Sequence, residues 1–219
     1  MLIKSWMIIL FCGMTFTCNA ASDIKPAVTQ PIPINDLVGF KTDSVPVKNL
    51  IRKSYALSAK NLTYLYGSAN PSNKGMDCSG TIYYLLKSAG VSDVPRQANE
   101  MYAWVEHDGN LSKVSNQSAD SLELKNLKPG DLLFWKGTYA VKRDPQITHV
   151  MLYLGKNTKN QPLMFGSSDG RSYQGKKMWG VSVFDFKLSN DHGGKFVAYG
   201  CIPHLTCETS KQPFYLDNS

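Results

Sequence analysis

Asp77-Cys78-Ser79-Gly80, running into Thr81-Ile82-Tyr83-Tyr84-Leu85-Leu86-Lys87-Ser88-Ala89-Gly90, is the stretch around which this chain is organised. Ile82, Leu85, Leu86 and Ala89 recur at i, i+3, i+4 and i+7, the spacing of one helix face. Gly90 stands where a helix C-terminal glycine belongs, and Asp77 is a good N-cap residue. Cys78 is therefore expected in the first helical turn, where unpaired N–H groups and the helix dipole favour a thiolate over a thiol. Gly80, one turn in, is expected to leave room for close approach of a bound group. The plainer alternative is a buried structural cysteine behind an ordinary cap, and these four residues alone do not separate the two.

Composition sets the bounds. The chain has 219 residues, 42% apolar and 19% charged, enough for one or two small domains and too apolar for general disorder. Residues 1–20 carry one charge, Lys4, then an apolar stretch from Trp6 to Phe16, and end at Cys18-Asn19-Ala20. They read as a secretory signal peptide cut near Ala20–Ala21, too short for a comfortable membrane span. Lipid anchoring through Cys18 is the weaker reading, because Thr15-Phe16-Thr17 lacks the small residues that precede a lipidated cysteine. Leaving out residues 1–20 removes only Lys4 from the charge count, so the net charge goes from +7 to +6. A basic exported chain suits an acidic wall polymer better than nucleic acid, for which there is no zinc finger, RNA-binding signature or dense Lys/Arg tract. The expected location is periplasmic or cell-envelope, with no stable membrane insertion.

Of five cysteines, Cys12 and Cys18 fall in the signal peptide. Cys201 and Cys207, six apart, are expected to pair, leaving Cys78 as a single free thiol. Cys201, His204 and Cys207 have a spacing that also resembles a metal site. In an exported chain a disulfide with a bystander histidine is the better reading, so no metal or other cofactor is expected. Residues 21–45, with Pro26, Pro31 and Pro33, are expected to form an extended arm, and 46–219 a single domain. A helix is predicted from Val47 to Tyr66 and a short one over Gln97–Val105, with 107–128 irregular. About five strands follow, at 132–135, 147–154, 163–167, 181–186 and 196–202. Helices first and antiparallel strands after argue for an α+β fold.

A thiol nucleophile needs a base beside the sulfur and a polar group to orient that base. Of the four histidines, His107 and His192 lie in polar turns and His204 in the small cysteine loop. His149 alone sits within a strand, where a ring nitrogen can be held rigidly at a cleft edge; a half-buried histidine without catalytic duty is the alternative.

Five blocks occur in order: Tyr64-Leu65-Tyr66-Gly67, Asp77-Cys78-Ser79-Gly80, Val94-Pro95-Arg96, Leu127-Lys128-Pro129-Gly130-Asp131-Leu132-Leu133-Phe134, and Thr148-His149-Val150-Met151-Leu152-Tyr153-Leu154-Gly155. Together they resemble the NlpC family of papain-like cell-wall cysteine peptidases, across roughly residues 50–202. The resemblance implies a papain-like α+β fold with the nucleophile helix packed on an antiparallel sheet. It also implies hydrolysis of peptidoglycan stem peptides, typically at the bond between D-γ-glutamate and a diamino acid. Cys78 matches the nucleophile, His149 the general base and Tyr64 a tyrosine lining the site. Asp77 and Ser79 match positions that shape the pocket for the free amino end, and Arg96 a position close by.

The third catalytic position departs from the family, which places His, Asn or Gln on the strand after the base. By motif that position is Gly166. A hairpin with 155–161 as its loop would instead set Ser167 opposite His149 and let its hydroxyl orient the imidazole, with Ser168 and Asp169 as the other candidates. Two rivals to the peptidase remain from the sequence: a non-catalytic wall-binding module of the same fold, and a thiol-dependent amidase or acyltransferase.

Overall fold

In the computed structural model of the chain, residues 25–29, 32–189 and 194–207 are described. The signal-peptide reading and Cys18 fall outside them. Helix α1 (Val45–Ser58) has Pro46 in its first turn, where a missing N–H costs nothing, and buries Val47, Leu50, Ile51 and Leu57. The spacing predicted a helix to Tyr66, but the chain leaves it eight residues earlier, after Ser58. Asn61 takes a left-handed φ of 51°, and Thr63–Tyr64 (β1) then pairs in parallel with Gly75–Met76 (β2). A Cβ on Gly75 would lie 2.7 Å from the Leu65 Cβ, so only glycine lets the two segments meet.

Helix α2 (Cys78–Ser88) follows at once, then α3 (Ala98–His107), whose Glu100 carboxylate accepts the Gln97 backbone N–H at 3.1 Å. The strands come next: β3 (Leu111–Lys113), β4 (Leu132–Lys136), β5 (Ile147–Lys156) and β6 (Pro162–Ser168). A small hairpin of β7 (Ser172–Tyr173) and β8 (Lys176–Lys177) precedes β9 (Gly180–Asp185) and β10 (Lys195–Gly200).

The main sheet has the order β3-β10-β4-β5-β6-β9, with every neighbour antiparallel. It contains the five expected strands and one more. Strand β3 is Leu-Ser-Lys within a polar stretch, with no alternation to reveal it, and it exists because β10 offers its edge.

Strand alternation divides the buried residues into two layers. Leu132, Phe134, Val150, Leu152, Phe165 and Val183 face the helices, packing with Leu50, Ile51, Ile82, Leu85 and Leu86. Leu133, Trp135, Met151, Tyr153, Met164 and Phe184 face the other way and are covered by Val114, Leu124, Leu127 and Leu188. Covering on both faces explains why Leu132-Leu133-Phe134-Trp135 reads as a continuous apolar run. Trp135 anchors the outer layer, 5.0 Å from the Phe196 ring centroid, with its indole N–H donated to the Leu188 carbonyl.

The expected extended arm lies against the domain. Val28 bridges Trp179, Leu37 bridges Asn157, and Ile32, Leu37 and Phe40 are buried in the helix-side core. At the other end Cys201 and Cys207 form the expected disulfide, so these sulfurs are bonded to each other. No helix among the described residues is long and apolar enough to cross a membrane.

Asp131 opens β4 in a buried position, accepting the Lys128 N–H at 2.8 Å. Burial pushes its carboxyl up to about 7, against about 3.9 in an unfolded chain. The folded state therefore keeps a proton that the unfolded state has released between those two values. Its stability is fullest below about pH 4 and declines as pH rises towards 7. Asp131→Asn should remove that decline, so urea midpoints of the variant should gain on wild type from pH 4 to 7.

Candidate active site

A cleft of about 350 Å³ opens at the start of α2 and is lined by five of the residues singled out from the sequence: Tyr64, Asp77, Cys78, Ser79 and Arg96. A larger hollow of about 850 Å³, between Leu124, Lys156 and Phe186, contains none of them.

The cleft is built on the Asp77 carboxylate. As the N-cap of α2 it accepts the Gly80 N–H at 2.5 Å, and its other oxygen accepts the Gly67 N–H at 2.9 Å. Arg96 closes on it as a fork, Nη2 to Oδ2 at 2.8 Å and Nη1 to Oδ1 at 3.2 Å, while donating to the Ser79 hydroxyl at 2.9 Å. Asp77, Ser79 and Arg96 thus form one neutral unit that fixes the helix start. Gly80 belongs to the same packing. A Cβ there would stand 2.1 Å from the Ser68 carbonyl oxygen, so the space that glycine leaves is filled by the protein's own backbone rather than by a bound group.

Cys78 is the one free cysteine among the described residues, and it is buried. Backbone N–H groups of Val150 and Ser79 point at its sulfur. They do not produce the thiolate expected from the helix start. Burial, and then the Asp77 charge, push the thiol up to about 11 against those N–H groups and Arg96. Desolvation outweighs the dipole here.

The two neighbours of His149 in β5 reach the thiol's surroundings. Thr148 lines the cleft, and the Val150 N–H on the other side meets the sulfur. The imidazole is buried 5.7 Å from the Trp135 ring centroid, on the strand partner of His149. Burial first, and the Arg171 cation second, hold it well below the ordinary histidine range, so the ring is neutral. Tyr64 is half-buried, and desolvation raises its phenol far above normal, keeping it a neutral donor.

The third position differs from the expectation. Strand β5 bulges between Tyr153 and Gly155, where the pairing with β6 shifts by one residue. Beyond the bulge Leu152 faces Phe165, and carrying that register on sets Ser168, not Ser167, across from His149. Ser167 turns to the helix side, where its hydroxyl donates to the Met76 carbonyl at 2.7 Å. Ser168 Oγ accepts the Arg171 N–H at 3.3 Å, and Asp169 is exposed. A side chain at Gly166 would begin 3.1 Å from Met151, which has taken that room. His149 Nε2 consequently has no hydrogen-bond partner among the described residues.

Arg171 is the neighbour that the motifs did not reveal. It is buried, its guanidinium stands 4.3 Å over the Trp135 ring, and it bears on both His149 and Cys78. Its signal was a basic residue in the turn just past the strand that carries Gly166. Tyr139 and Arg143, in the loop before β5, also line the cleft and have no periodic signature at all.

A free thiol at the start of a helix packed against an antiparallel sheet, with the backbone of the strand that carries His149 meeting its sulfur, defines a papain-like α+β domain. The chain belongs to the NlpC/P60 family, whose model matches residues 61–179. It is 30% identical over 64% of its length to a gamma-DL-glutamyl hydrolase of Bacillus subtilis, covering 27% of that protein. It is 29% identical over 53% of its length to the murein DD-endopeptidase MepH of Escherichia coli, covering 44% of it. A probable endopeptidase of Escherichia coli, YafL, is 33% identical over 42% of this chain and 30% of that one. The chain thus spans less than half of each of these relatives. A solved NLP/P60-family protein from Staphylococcus aureus, described as similar to a lipoprotein, matches at 21% identity. Its TM-score is 0.42, over 70% of this chain and 41% of that one.

Two outcomes follow from this geometry. With a thiol near 11, about one Cys78 in ten thousand is ionised at pH 7, against about one in thirty for free cysteine. Iodoacetamide should therefore label Cys78 far more slowly than free cysteine at pH 7 and accelerate steadily to pH 10. Fast labelling at pH 7 would mean that an ion pair has formed instead. Ser167→Ala should act on stability, costing about 0.5–1.5 kcal/mol by removing one of the two bonds to the Met76 carbonyl, which keeps the Leu65 N–H, as read from denaturant unfolding.

Proposed function

We propose that this chain is an exported cysteine endopeptidase that hydrolyses peptidoglycan stem peptides, with the D-γ-glutamyl–diamino acid bond as its target. The observation that carries this reading is the free Cys78 thiol at the head of α2, opening into a cleft with His149 one residue from its backbone contacts. The names of the Bacillus and Escherichia relatives support the substrate class. Export is supported by the leader-like residues 1–20 and by the Cys201–Cys207 bond.

With both groups neutral at rest, attack and proton transfer are coupled. Cys78 Sγ adds to the carbonyl as His149 takes its proton, and backbone N–H groups at the helix start receive the developing oxyanion. Burial and Arg171 make the resulting imidazolium a strong acid, so it readily protonates the leaving amine. Water then hydrolyses the thioester with His149 again as base. Tyr64 and the Asp77–Arg96–Ser79 unit wall the acyl side of the cleft.

Purified protein incubated with defined muropeptides should release a new amine, with products heavier by one water in total. Cys78→Ala and His149→Ala should each lose at least a hundredfold in kcat. Product masses showing transfer to another amine would favour the acyltransferase. Binding without any cleavage would favour the wall-binding module. A lowered imidazole pKa leaves the base neutral in mild acid, so kcat/KM should persist below pH 6.5 rather than fall there as it would with an ordinary histidine.

A further inference from the structure

The charges that face the cleft do not balance. Asp77 and Arg96 cancel in their fork, and the Cys78 thiol and Tyr64 phenol are neutral. Arg143, on the loop between β4 and β5, lines the same cleft. Its guanidinium is held by three neutral oxygens: Gln97 Oε1 at 3.3 Å, Tyr139 Oη at 3.2 Å and the Ile147 carbonyl at 2.7 Å. No carboxylate among the described residues pairs with it, and its Nε–H is buried without a partner. Asp144, next along the chain, lines the adjoining hollow and makes no ion pair with it. Arg143 is thus a positioned cation, unmatched by any carboxylate among the described residues, lining the same cleft as Cys78.

We propose that Arg143 determines specificity by receiving a substrate carboxylate beside the scissile bond, so that the cleft selects γ-D-glutamyl peptides whose α-carboxyl is free over those in which it is amidated. This rests on the hydrolase reading above. A γ-linked glutamyl residue keeps its α-carboxylate next to the reacting carbonyl, and a guanidinium fork is the side chain suited to a planar carboxylate. An amide in its place presents an NH₂ to the same donors and adds no opposing charge.

The test is a pair of stem peptides that differ only at that group, α-carboxylate against α-carboxamide, cleaved by wild type, Arg143→Gln and Arg143→Lys. Wild type should favour the carboxylate on the order of tenfold to a hundredfold in kcat/KM, mostly through KM. The preference should vanish in Arg143→Gln and survive in part in Arg143→Lys, which keeps the charge if the loop tolerates it. Equal rates of wild type on both peptides, or a preference that outlasts Arg143→Gln, would overturn the assignment. If neither peptide is cleaved by any of the proteins, the hydrolase reading fails by itself. Calorimetry with Cys78→Ala still decides on Arg143: tighter binding of the carboxylate peptide, lost in Cys78→Ala/Arg143→Gln, upholds it, and equal binding rejects it.

Discussion

The Asp77 carboxylate is the point on which the site depends. It joins three pieces of chain distant from one another in sequence: the turn at Gly67, the first turn of α2, and the segment carrying Arg96. A carboxylate so buried is tolerated only because every bond it accepts comes from a fixed donor and Arg96 matches its charge. The same contacts that pair the charge set the angle at which α2 meets the sheet, and so place the sulfur against the Val150 N–H. Loss of Arg96 would leave the buried Asp77 charge unmatched, and loss of Asp77 would release the helix start.

Much of this was legible in the sequence because it rested on local chemistry. The cap at Asp77, the helix spacing after it, the strands of the sheet and the Cys201–Cys207 pair each follow from residues close together in the chain. What was not legible depends on contacts between distant segments. The end of α1 was hidden because Tyr55, Leu57, Leu62 and Tyr64 keep an apolar rhythm through a left-handed turn at Asn61. The register at His149 was misread because the strands stay paired out to Lys156 and Pro162, two residues beyond the expected turn, and the bulge at Leu154 takes back only one of the two. Arg171 and Arg143 lie in irregular chain, where no periodicity assigns them a direction.

The thiol is the clearest case of one effect outweighing another. A helix start lowers a cysteine pKa by a local field, and the sequence contains that field in full. Burial depends on how the Ser79 and β5 backbone and the surrounding chain close around the sulfur, which only the fold determines. The same holds behind the imidazole. Gly166 supplies no polar side chain, Met151 fills the gap, and the charged neighbour that remains is a buried cation stacked on Trp135.

That burial also bears on how long the free thiol lasts. Oxidation to sulfenic acid and capture in mixed disulfides both proceed through the thiolate. Surroundings that maintain the Cys201–Cys207 bond would attack any exposed thiolate nearby. A sulfur kept protonated and enclosed is chemically quiet. The burial that raises the Cys78 pKa would therefore also protect it, letting the lone thiol coexist with the bonded cysteines of the same chain.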